Sequence, residues 1–132
     1  MASYRTREGA ITAADSFTAL DSLYGQSTSS SVQVPAGTSA IVGIIASVSQ
    51  DGATGGAATF AIQLTGDGLT EQQTMTIGSA TNVGTETSNG MSNVPFKCDV
   101  AIPVTASNQV SIAAAMDADL GTAQVSVTLV FA

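Results

Sequence analysis

The chain has 132 residues, 44% of them hydrophobic, and a net charge of −7; it holds three cations, one Cys, no His and no Trp. A Ser or Cys nucleophile therefore has no imidazole base, zinc has no ligand set, and a phosphate backbone meets no basic cluster. This composition argues against an enzyme, against a zinc centre and against nucleic acid as the main partner.

Residues 1–30 carry Arg5 and Arg7 and a loose helical spacing through Ile11, Ala14, Phe17, Leu20 and Tyr24, with Thr12 and Asp15 placed like a capping box. Two readings fit this segment, a short helix and an extended N-terminal arm that packs on a neighbour. Residues 31–132 read as the β-sandwich domain that follows it. The period becomes two at Val32 and Val34, and Pro35-Ala36-Gly37 ends a first strand. Residues 40–49 are rich in Ile and Val and end at Asp51-Gly52, which predicts a buried strand with a bulge at Gly43; a buried helix is the alternative. Phe60, Ile62 and Leu64 then alternate with Thr59, Ala61 and Gln63. Gly66-Asp67-Gly68 turns the chain, and Gln73, Met75 and Ile77 resume the alternation, so a hairpin is predicted.

Residues 78–93 have no periodicity and are rich in Gly, Ser, Thr and Asn. Long structureless connections are usually functional, which makes this the predicted contact loop, with Thr85, Asn89 and Met91 as candidate contacts. Over residues 94–104, Phe96, Cys98, Val100, Ile102 and Val104 point inward and Lys97, Asp99, Ala101 and Pro103 outward. Pro95 and Pro103 cannot donate to a ladder, so this strand lies at an edge or pairs only through its middle. Val110, Ile112 and Ala114, then Val125, Val127, Leu129 and Phe131, mark two more strands around a turn at 117–121. The sum is an all-β fold, an antiparallel sandwich of seven to eight strands.

Lys97 reads as a solvated partner of Asp99, and Cys98 as a small core residue. Two carboxylate pairs, Asp67 with Glu71 and Asp117 with Asp119, have the chemistry for calcium, and the second has it for glycoside hydrolysis. Both pairs sit in turns, where Asp is favoured for its own backbone hydrogen bonds, and the turn reading is preferred. No site for a catalytic group, cofactor or metal is assigned. The longest apolar stretch is broken by Gly43 and Ser47, so no membrane span is expected; neither is a signal-peptide core or a glycosylation sequon found.

The Val-x-Val-Pro-Ala-Gly entry at residues 32–37, the Gly66-Asp67-Gly68 closure and the final run Val125-Ser126-Val127-Thr128-Leu129-Val130-Phe131 resemble small β-sandwich virion proteins. These include single jelly-roll capsid subunits and the decoration, or cement, proteins of bacterial and archaeal viruses. The resemblance implies a jelly-roll-like fold, location in a virion, and self-assembly, often as trimers, through sheet edges, loops and the arm. Arg5, Arg7, Phe17 and Tyr24 in the N-terminal segment are then the candidate contacts with copies of the chain and other virion proteins. Two other readings stay open: a non-catalytic carbohydrate- or receptor-binding module, and an extracellular filament subunit.

Overall fold

The computed structural model describes residues 2–51, 56–82, 96–119 and 121–132. Their regular structure consists of strands: β1 (Ser3–Ile11), β2 (Thr18–Ala19), β3 (Ser22–Leu23), β4 (Gln26–Ser27), β5 (Ser31–Gln33), β6 (Ala40–Asp51), β7 (Gly56–Thr65), β8 (Gln73–Asn82), β9 (Phe96–Pro103), β10 (Gln109–Met116) and β11 (Thr122–Phe131). They build two antiparallel sheets, one ordered β4-β3-β1-β11-β6-β9 and the other β2-β10-β7-β8, with β5 also paired to β10. Ser111 pairs with both Ser31 and Thr65, and Ala114 with both Thr18 and Ile62. The short strands β2 and β5 therefore share one side of β10, and β7 takes the other.

Strict alternation explains why these segments are strands and why the sheets stack. In β7 the buried positions are Ala58, Phe60, Ile62 and Leu64, and in β11 they are Ala123, Val125, Val127, Leu129 and Phe131. These side chains, with Ile11, Ile41, Ile44, Val110, Ile112 and Met116, form one apolar cluster drawn from both sheets. Apart from Ala46, Ala58, Ala114, Ala115 and Ala123, every buried apolar residue is larger than Ala. The bulk of the described aliphatic volume thus sits between the sheets, while most Ser and Thr lie outside. Among the described residues β9 lies at the sheet edge, one of the two placements read from its prolines, and its burial alternates as read from the sequence. The ladders flanking β6 shift register around Val42, beside the glycine expected to mark a bulge.

Two expectations need correction. No helix forms in the N-terminal segment: residues 3–11 make a strand that pairs with β11 along its whole length, from Ser3↔Phe131 to Ile11↔Ala123. The helical spacing over residues 11–24 loses because this backbone bonds across the fold instead: Ile11 ends the β1 ladder, Asp15 and Leu20 donate to Met116 and Ile112 of β10, and Ser22 pairs with Glu8, whereas an isolated helix of three turns is marginal in water. The strand count of seven to eight is also too low, since β2 to β5 are pieces of two or three residues with no readable period. The chain leaves β10 after Leu20, whose N–H donates to Ile112 O at 3.0 Å, and returns at Ser30, whose carbonyl accepts from Ile112 N at 3.0 Å. Between these points β3 and β4 form a hairpin on the far side of β1, with Ser22 opposite Glu8.

The β7–β8 turn is held from the side by β10. Asp67 Oδ1 accepts from Gln109 N at 2.8 Å, and Gly68 N donates to Gln109 O at 2.8 Å. Gly66 adopts φ +117, and a Cβ there would lie 2.5 Å from the Gln109 carbonyl oxygen. Gly66→Ala is expected to cost about 2–3 kcal/mol in urea denaturation. Gly37→Ala, at φ +79 with no atom within 4 Å of the added carbon, should cost only about 1 kcal/mol.

Candidate interaction surface

Residues directly opposite each other in a ladder share a face, so the register fixes what the outside of the six-stranded sheet presents. One row across β1, β11, β6 and β9 is Tyr4, Val130, Gly43 and Asp99; the next is Thr6, Thr128, Ile45 and Lys97; the third is Glu8, Ser126 and Ser47. The second row is tied by a hydroxyl–hydroxyl bond of 2.7 Å between Thr6 and Thr128. Tyr4 is 59% exposed, and Val42, at the bulge, is 37% exposed. A shallow hollow of about 340 Å³ lies on this face, lined by Glu8, Ser47, Ser49, Gln124 and Ser126.

Arg5 and Arg7 point the other way. They lie opposite Leu129 and Val127, on the core-facing side of β1 but at the flank of the sandwich. The Arg7 guanidinium is committed within the chain: Nε donates to Ser29 O at 2.7 Å, Nη2 to Ser31 O at 3.1 Å, and Nη1 to Thr6 O at 2.8 Å. It bridges β1 to the segment that enters β5. The exposed Arg5 donates to Tyr4 O and borders a hollow of about 300 Å³ with Gln33, Val34, Pro35, Ala36 and Ser107.

Phe17, 40% exposed, stands over the outside of the five-stranded sheet. With Asp15, Thr59, Ala61, Met116 and Asp117 it lines an open hollow of about 370 Å³. Asp15 holds a left-handed φ of 59° and donates its N–H to Met116 O at 2.8 Å. Tyr24, 85% exposed, is at the tip of the β3–β4 hairpin. Tyr24 and Gly25 have φ of 53° and 75°, the pattern of a two-residue type I′ turn, whose twist matches the flanking strands. Thr85, Asn89 and Met91 lie outside the described residues, whereas residues 78–82 of the predicted contact loop continue β8.

The turn carboxylates are engaged by backbone. Asp67 accepts from Gln109 N, Asp117 Oδ1 from Thr59 N at 2.7 Å, and Asp119 Oδ1 from Gly121 N at 2.8 Å. Among the described residues no group of three or more acidic, Cys or His side chains is placed to hold a metal ion. Sequence reasoning missed Tyr4, Glu8, Val42 and the outward row through Ile45. Their signal was the alternation of Tyr4, Thr6 and Glu8, which becomes readable once residues 3–11 are taken as a strand.

The sequence matches no family model and no curated protein. In fold comparison the chain is similar to one in a structure titled "Structure of infectious bursal disease virus Gx strain", at 14% identity and a TM-score of 0.26. The match covers 96% of this chain and spans 37% of the other.

Arg7 contributes to stability through its carbonyl bonds. Arg7→Ala is expected to lower unfolding free energy by about 1–2 kcal/mol, a charged donor's contribution reduced for partial exposure. Arg7→Lys should recover less than half of that, because a single ammonium cannot serve carbonyls on separate strands as the planar fork does. Urea denaturation of both variants measures the difference.

Proposed function

We propose that this chain is a virion structural subunit, of capsid or decoration type, with a jelly-roll fold and no catalytic activity. The observation that carries the reading is the strand order. β1 pairs with β11, β2 and β5 with β10, β6 with β9, and β7 with β8. Laid out flat, these pairs are one long antiparallel ribbon whose closed end is the β7–β8 hairpin. Wound up, it puts β1-β11-β6-β9 in one sheet and β5-β10-β7-β8 in the other. Jelly rolls of this kind build viral capsids and lectins.

Fold alone does not decide between such roles, so the surface must. Here the outward rows of the five-stranded sheet are mostly Thr, Ser and Ala, and on the six-stranded sheet Ser, Thr and Gly stand among Tyr4, Val130, Ile45 and three charged residues; small side chains lose little rotamer entropy when a neighbour immobilises them. The absence of His and the scarcity of cations support assembly over catalysis. The hollow beside Phe17, with Asp15 and Asp117 at its rim, favours the second reading, a carbohydrate- or receptor-binding module. Binding on a glycan array that Phe17→Ala abolishes would establish that alternative.

Light scattering of the purified chain, combined with negative-stain imaging, tests the proposal. A homo-oligomer that closes into rings or shells, trimers included, is the expected result. Helical fibres would identify a filament subunit instead, and a monodisperse monomer at high concentration would contradict assembly altogether.

A further inference from the structure

We infer that the outside of the six-stranded sheet is a self-complementary face that takes a second copy of this chain, stacked about a two-fold axis running along the strands between β11 and β6. The inference rests on the assembly reading above and specifies one surface for it. Within one chain, Glu8 on β1 and Lys97 on β9 stand three strand spacings apart, about 14 Å, which is too far to pair. Tyr4 and Asp99 are separated in the same way. Lys97 and Asp99 are both exposed, and Lys97 is one of only three cations in a chain of net charge −7.

Rotation about the stated axis keeps each row at its own height and reverses the order of the strands. Tyr4 then lies over Asp99 of the second copy, where the phenol donates to the carboxylate. Val130 lies over the flat backbone at Gly43, Thr128 over Ile45, and Ser126 over Ser47. Lys97 arrives over Thr6, one row from Glu8; that is about 7 Å along the strand, within reach of a four-carbon stem and a Glu side chain. The hollow of about 340 Å³ beside Glu8 receives the ammonium end.

Every contact occurs twice, as an isologous interface requires. A two-fold across the strands would pair Lys97 with Asp99 but leave Glu8 without a counter-charge, so the charge pattern selects the axis along them. The β3–β4 hairpin extends the face beyond β1, and in this stack it overhangs the β9 side of the second copy. That sets the 85% exposed Tyr24 at its tip against the second copy, beside a strand that among the described residues pairs only with β6.

Charge reversal and its rescue, read by sedimentation across concentration and salt, test the stack. The unmodified chain should self-associate more weakly as salt rises. Glu8→Lys and Lys97→Glu should each weaken association about tenfold or more, and the double variant should return to within about threefold of the parent. Tyr4→Ser, which changes no charge, should also weaken it, and unchanged far-ultraviolet circular dichroism would show that each variant folds. If the parent associates while the single variants behave like it, or if the double variant is no better than the singles, the stacked face is wrong and assembly uses other surfaces. The stack is also wrong if Lys97→Glu is rescued by Asp99→Lys while Glu8→Lys has no effect. A parent chain that stays monomeric overturns both the stack and the assembly reading.

Discussion

The pairing of the first strand with the last holds this molecule together. β11 is an inner strand of the six-stranded sheet, and it satisfies its backbone only if β6 lies on one side and β1 on the other. The bond between the Thr6 and Thr128 hydroxyls joins residues 122 apart in sequence. Little of that ladder can form early, because the entropy of closing such a long loop is lost before the ladder compensates for it. What makes closure favourable is apolar burial. Ile11 at one end of β1 and Phe131, Leu129 and Val127 along β11 are all fully buried in the one cluster between the sheets. Arg7 then fastens β1 to the entry of β5, so the same strand is tied to both layers.

From that closure follows a division of labour between faces. Inward positions hold mostly Ile, Val, Leu and Phe; outward positions on the six-stranded sheet mix Ser, Thr and Gly with Tyr4, Val130 and Ile45, and with Glu8, Lys97 and Asp99. The small side chains of such a surface lose little rotamer entropy when immobilised, and Glu8 stands three strands from Lys97, too far for the two to neutralise one another within a chain. Both properties suit contact with another rigid sheet better than capture of a flexible ligand. The four-strand width of the face exists only because β1 is docked; without it, Tyr4, Thr6 and Glu8 would leave the sheet.

The segments legible in the sequence are those where burial alone sets the period. β6, β7, β9, β10 and β11 announce themselves through Ile41 and Ile44, Phe60 to Leu64, Phe96 to Ile102, Val110 to Ala114 and Val125 to Phe131. β1 is hidden because two of its core-facing positions are Arg5 and Arg7, at a flank where a guanidinium reaches carbonyls, and a third is Gly9, which a Cβ would drive into Leu20. β8 fades after Ile77 because its ladder with β7 shifts register there, so the alternation changes phase and residues 78–82 read as loop. β2 to β5 are too short for any period. They are specified by long-range bonds to β10 and β1, which no local pattern encodes. Of the candidate contacts, Phe17 and Tyr24 stand exposed; the outer face through Tyr4, Ile45 and Lys97 emerges only from strand register.

Native-state hydrogen exchange, resolved to individual amides, addresses the closure most directly. Ladder-bonded amides of β1 should exchange as slowly as those of β11, opening only with global unfolding and sharing its denaturant dependence. If residues 3–11 exchange within the time expected of a detached arm while β6 and β11 remain protected, the first strand is not what closes this fold, and the outer face built upon it does not exist as described.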